Sequence, residues 1–179
     1  LEDISKEGFG GVLCIETGGP TPGLGCAGRG IIATFQLLED LKLFETYKPD
    51  VVLYDVLGDV VCGGFAMPIR NGYADEVCIV TSGEMMSLYA AANISYAVKS
   101  FAPRGYSSLR GLIFNAKNFE GEAQQVERAA AEMETEILYR IPRDPLIQKA
   151  ENMGMTVVEA FPGSELARHY RDLANIVLQ

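Results

Sequence analysis

The sequence predicts an α/β fold, a mostly parallel open sheet flanked by helices and forming a single domain over residues 1–179. Three observations lead there. Short runs rich in β-branched residues alternate with longer segments of helical pattern. The apolar runs are continuous, which suits strands covered on both faces. Gly, Pro, Asn and Ser punctuate the changes from one kind of segment to the other.

The first run, 11–15, ends in a Gly- and Pro-rich stretch at 18–23. A helix is predicted over 31–43, where apolar residues at 31, 32, 35, 38 and 41 form one stripe and Glu39 and Asp40 fall outside it. The run 50–55 is a second strand, and 76–81 a third. The Ala- and Met-rich segment 84–101 reads as a helix with Ser82 placed to cap it. A fourth strand, 109–114, is followed by Asn115 and a polar-faced helix over 121–133. A weaker strand, 137–141, stops at Pro142, and helices over 144–153 and 164–178 complete the set.

Composition narrows the function classes. Hydrophobic residues at 48% and charged residues at 22% belong to a globular chain with a real core. A net charge of −9, from 24 acidic and 15 basic residues, argues against binding a phosphate backbone. The longest apolar runs are far too short to span a bilayer, and no signal-like segment opens the chain, so a cytoplasmic location without membrane or nucleic-acid partners is expected. Four cysteines occur, Cys14, Cys26, Cys62 and Cys78, none in a CxxC pair. Cys14 and Cys78 lie inside strand patterns and are expected in the core. His169 is expected on a solvated helix face, Met85 and Met86 in packing, and Glu132, Glu134 and Glu136 on a solvated acidic face.

Two loops are too elaborate to be simple connections. One runs through 18–30 and sets Cys26 among glycines just before a helix, where exposed N–H groups and the helix dipole favour a thiolate or another anion. The other follows the strand ending in Asp55 and reads Asp55-Val-Leu-Gly-Asp59-Val-Val-Cys62-Gly-Gly. An acid at the end of an apolar strand, followed shortly by Gly, is the arrangement nucleotide hydrolases use to hold Mg²⁺. A nucleotide-sensing carboxylate and a Gly-embedded thiol thus share one short segment. Two thiols are too few for a common iron–sulfur cluster, which takes four, but a two-fold dimer contributes each thiol twice. On the residues alone, two loop cysteines with no special task remain the alternative.

The same motifs carry a family resemblance. Gly18-Gly-Pro-Thr-Pro-Gly-Leu-Gly-Cys26-Ala-Gly-Arg29-Gly resembles the first cluster-ligand loop of the nitrogenase iron proteins. Asp55 through Cys62-Gly-Gly-Phe-Ala-Met-Pro resembles the second, and Ser82-Gly-Glu-Met-Met also matches. The likeness continues through Asn115, Pro142-Arg143-Asp144, Gln148, Glu151 and Tyr170 and covers essentially the whole chain. It implies a P-loop NTPase-like fold and an ATP-dependent reductase: a homodimer around one [4Fe–4S] cluster, in which nucleotide binding and hydrolysis gate one-electron transfer. The donor would be ferredoxin or flavodoxin and the acceptor a larger nitrogenase-type catalytic protein.

By the same resemblance Cys26 and Cys62 ligate the cluster, Asp55 serves the Mg²⁺ of Mg·ATP or Mg·ADP, and Asp59 senses or activates the attacking water. Arg29 falls on the surface that docks the partner, at the arginine that is ADP-ribosylated in some members. Asn115, Pro142, Arg143, Asp144, Gln148 and Tyr170 fall where the family contacts the adenine end of the nucleotide. One departure is large: nothing here matches the phosphate loop GxxxxGK[ST], so an N-terminal stretch and part of the C-terminal tail are expected to be absent from the sequence given, which alone should not hydrolyse ATP. Leu166 stands where relatives often carry a polar residue near the adenine. Segments 107–110 and 119–125 keep a nitrogenase-like reductase of the coenzyme F430 pathway, or of sulfur compounds, as an alternative. A non-redox regulatory or cluster-scaffold relative is the alternative of another class.

Overall fold

The computed structural model describes residues 4–17, 28–56, 58, 67–70 and 72–179. By internal contacts the chain divides into two compact units, one made of residues 1–75 and 100–107, the other of 76–99 and 108–179.

In the first unit, β1 (Ser5–Glu7) pairs antiparallel with β2 (Leu13–Ile15) around a tight turn of helix at Phe9–Gly11. Three short helical segments follow: α1 (Gly28–Asp40), α2 (Leu43–Tyr47) and α3 (Met67–Arg70). The apolar stripe read from the sequence turns α1 inward through Phe35 and Leu38, both buried beside Leu43. Phe35 packs on Tyr54 and Tyr73, with ring centroids 5.5 and 4.3 Å away, and the Tyr73 hydroxyl bonds the Glu39 carboxylate. The Ser107 hydroxyl donates to the Ala74 carbonyl and so ties the return segment to this unit.

The second unit holds the predicted parallel sheet. Strands β3 (Glu76–Thr81), β4 (Ser108–Asn115) and β5 (Ile137–Ile141) lie in that order, all parallel, with β4 between its neighbours. The crossovers are helices, as parallel pairing requires: α4 (Met85–Phe101) joins β3 to β4, and α5 (Glu122–Glu132) joins β4 to β5. Three more follow β5: α6 (Leu146–Asn152), α7 (Val157–Ala160) and α8 (Glu165–Val177). Side chains alternate along a strand, so adjacent Leu112 and Ile113 face opposite ways. Leu112 packs with Ile79, Ala91, Ala130 and Met133 under α4 and α5. Ile113 packs with Ile141, Ala150, Val157, Leu166 and Ala167 under α6, α7 and α8. Both faces of the sheet are covered, which is why these strands read as continuous apolar runs.

Two bulges shape the sheet. The β3–β4 register slips so that Arg110 is the extra residue, and the β4–β5 register slips so that Leu138 is. The bulges meet at Gly111, where a Cβ would lie 2.7 Å from the Leu138 Cγ and 2.9 Å from the Glu136 carbonyl oxygen. Arg110 is thereby aimed at Glu76, which it bonds through Nη1 at 2.8 and 3.0 Å, and at the Ile176 carbonyl in the last turn of α8, through Nη2 at 2.9 Å. Helix α8 starts on Ser164, whose Oγ accepts from the Ala167 N–H at 3.1 Å, and α7 starts on a capping box of Thr156 and Glu159.

Several sequence expectations are corrected. Residues 51–56 form no strand, and Leu53 is 80% exposed, because an extended run becomes a strand only against a hydrogen-bonded neighbour and none is present among the described residues. Cys14 is exposed, since among the described residues no layer packs over that position of its short hairpin, whereas Cys78 is half-buried against the core. Met85 and Met86 are 81% and 74% exposed on the first turn of α4, on the side turned away from the sheet. His169 is half-buried, with Nδ1 at 2.7 Å from the Tyr139 hydroxyl. Leu166 is 1% exposed in the core under α8, so it is packing and no ligand contact.

Candidate functional site

In open α/β sheets the loops leaving the C-terminal ends of parallel strands carry the ligand groups. Four of the predicted adenine-side residues come together there. Asn115 is the last residue of β4 and stands in register with Ile141, the last residue of β5, so Pro142, Arg143 and Asp144 leave the sheet beside it. The Ala116 N–H donates to the Ile141 carbonyl at 3.0 Å and continues the ladder one residue past the strand. The Arg143 Nη1 donates to the Lys117 carbonyl at 3.3 Å, and Asp144 Oδ1 accepts from the Leu146 N–H at 2.8 Å, which starts α6. Gln148 is exposed on α6 and donates to Asn152 Oδ1. Tyr170, half-buried on α8, packs at the margin of the core; burial, and then the nearby Glu151 carboxylate, push its hydroxyl pKa up.

The sequence reading missed the carboxylate beneath these loops. Glu122, the first residue of α5, is only 2% exposed, and every described partner of its carboxylate is a backbone N–H. Oε1 accepts from Gly83 at 3.2 Å and Lys117 at 2.9 Å; Oε2 accepts from Lys117 at 3.0 Å and Asn118 at 2.7 Å. Burial by itself would raise its pKa, but the N–H groups of Lys117, Gly83, Asn118 and Phe119 outweigh burial and hold it below the usual carboxylate range. Gly83 is required here: a Cβ would overlap the Glu122 Cγ and come within 3.1 Å of the Glu122 carbonyl oxygen and 3.2 Å of the Phe119 ring. In sequence Glu122 is indistinguishable from any first-turn acid, which the helix dipole favours anyway. Beside it, Ser82 also departs from a simple cap, with its Oγ bonded to the Glu84 carboxylate and its N–H to the Ser87 hydroxyl.

Asp55 and Arg29 belong to the first unit. Asp55 is exposed in the extended segment 51–56. Arg29 lies in the first turn of α1. Cys26, Cys62 and Asp59 lie outside the described residues. Among the described residues no group of three His, Cys, Asp or Glu could hold a metal ion. The described thiols do not suit a cluster either: Cys14 stands alone on its hairpin, and burial pushes the Cys78 thiol up, with Arg110 opposing and Glu76 adding.

Known proteins resemble this chain in fold and in sequence. Two solved structures share the fold: the cell division ATPase MinD of Pyrococcus furiosus, with a TM-score of 0.58 at 22% identity over 84% of this chain and 57% of that one, and the MinD cell division protein of Aquifex aeolicus, with 0.61 at 21% over 83% and 60%. The likeness places the chain in the P-loop NTPase-like fold. The nitrogenase iron protein of Methanospirillum hungatei JF-1 is 51% identical over 180 aligned positions, covering 99% of this chain and 63% of the relative. That of Methanococcus voltae is 43% identical over 179, covering 100% and 64%. The chain thus spans a little under two thirds of the length of these relatives. The family model for 4Fe-4S iron–sulfur cluster binding proteins of the NifH/frxC type matches residues 1–179, and the chain belongs to that family.

Proposed function

We propose that this chain is part of an ATP-dependent reductase that passes single electrons from a [4Fe–4S] cluster to a larger nitrogenase-type catalytic protein, for dinitrogen reduction. The observation that carries the proposal is the likeness, over essentially the whole chain, to two proteins named nitrogenase iron protein. It is supported by the gathering of Asn115, Pro142, Arg143 and Asp144 at the strand ends where this fold class binds nucleotides.

In this reading Cys26 and Cys62, with the same two residues of a second copy, hold the cluster, which supplies the one-electron donor. Asp55 serves the Mg²⁺ of Mg·ATP or Mg·ADP, and Asp59 senses or activates the attacking water. Asn115, the turn 142–144, Gln148 and Tyr170 contact the adenine end of the nucleotide. Arg29 belongs to the partner-docking surface. Ferredoxin or flavodoxin supplies electrons in the cytoplasm, and the net charge of −9 suits docking to basic protein surfaces rather than to nucleic acid. No helix among the described residues is long and apolar enough to cross a membrane.

The test is iron and acid-labile sulfide content, with EPR before and after dithionite, on the complete protein purified anaerobically. About one four-iron cluster per two chains is expected, lost on Cys26→Ala or Cys62→Ala. Folded, complete protein without iron would remove the redox reading.

A further inference from the structure

We propose that Glu122 is a positioning residue for the nucleotide base: its buried carboxylate fixes the loop that follows Asn115 and joins it to the loop after β3. The inference rests on the proposed function, in which Asn115 and the turn 142–144 contact the adenine end of the nucleotide.

Beyond Asn115 the chain leaves the sheet, and its backbone donors have to find acceptors. The Ala116 N–H still finds β5. The next two, from Lys117 and Asn118, both turn onto Glu122. Asn118 has φ +64°, a left-handed conformation that asparagine tolerates better than most residues, and its N–H bond to Glu122 adds to that local preference. Arg143, from the other base-side turn, donates to the carbonyl of the same Lys117. Lys117 is therefore gripped through its N–H by Glu122 and through its C=O by Arg143. The third donor to the carboxylate, Gly83, belongs to the loop that leads from β3 into α4. One side chain thus sets the loops after β3 and β4, and Arg143 links the loop after β5 to them.

The donor pattern requires a carboxylate. Oε1 serves Gly83 and Lys117, and Oε2 serves Lys117 and Asn118. A glutamine in either orientation would turn an NH₂ toward a backbone donor, so that the bond from Gly83 or the bond from Asn118 is lost. A base-reading side chain displaced by a fraction of an ångström discriminates less, even where phosphate binding persists.

The experiment is calorimetric titration of the complete, cluster-loaded protein with Mg·ADP and with Mg·GDP, at a temperature well below every variant's Tm. For Glu122→Gln, a loss of about tenfold in the preference for ADP over GDP is expected, the equivalent of one misaimed hydrogen bond. Gly83→Ala, which presses on the Glu122 side chain from the opposite loop, is expected to lose preference in the same direction and decides the matter if the glutamine variant does not fold. Val126→Ala is the structural control: Val126 is buried on the same helix with 0% exposure, and its truncation should lower Tm while leaving the preference intact. A wild-type preference in both loop variants, or an equal loss in Val126→Ala, overturns the positioning role. A wild-type protein that binds neither nucleotide overturns the nucleotide reading itself, and the inference with it.

Discussion

Replacing Glu122 by alanine tests the physical account of the site most directly. The substitution strands three described backbone donors. Gly83 is buried, so its N–H has no ready access to water, whereas Lys117 and Asn118 are exposed and their N–H groups recover part of their hydration. An unsatisfied buried donor costs about 1–3 kcal/mol, and a hydrogen bond to a charged acceptor contributes about 1.5–3 kcal/mol. Against this stands the relief of no longer burying a carboxylate, which reduces the net effect. The expected loss is about 3–4 kcal/mol, large for a single side chain. Acid adds a second signature. The folded-state pKa of Glu122 is lowered, so its contribution is fully present above the unfolded value of about 4.3 and is lost as pH falls through the folded value. Urea denaturation at pH 7 and at steps from pH 5 to 3 measures both, with an unchanged m-value showing that the transition remains comparable. The Glu122→Ala protein should have a lower midpoint at pH 7 and a shallower loss of stability in acid than the wild type. A loss below about 1 kcal/mol at pH 7, or an acid limb parallel to wild type, would refute the reasoning.

Other predictions follow from close packing and exposure. Gly111→Ala, forcing a Cβ against Leu138 and the Glu136 carbonyl, should destabilise by about 2–3 kcal/mol in thermal or urea unfolding, and a change within about 0.5 kcal/mol would mean that the β4–β5 bulge yields freely. At pH 7.5 a maleimide should label Cys14 in the native protein much faster than Cys78, whose thiol is half-buried and raised; peptide mass mapping over time reads the order, and equal rates would refute it.

The second unit was legible in the sequence because its strands and crossover helices are written in local pattern. Largely apolar runs at 76–81, 109–114 and 137–141 became β3, β4 and β5 to within a residue, since strands covered on both faces are apolar at most positions. Ser164 before α8 was legible for a similar reason, because an N-cap is satisfied within one turn. The run 50–55 has the same composition and forms no strand among the described residues, because pairing is supplied by another segment and not by the run itself. The residue-by-residue match of long motifs carried the family, which the comparisons then showed.

Composition and periodicity by themselves determined the fold class and the order of strands and helices in the second unit, and motif likeness pointed to the residues offered for a nucleotide and a cluster. Tertiary structure decided which way side chains face and what they meet. It put Met85 and Met86 outside, closed His169 onto Tyr139, buried Leu166 in the core, and gave Glu122 three loop N–H groups that lie up to 39 positions away in sequence. The physical reason is range: caps, turns and strand patterns are settled by neighbours within a few residues, whereas the environment of a carboxylate is settled by whichever loops the sheet brings over it.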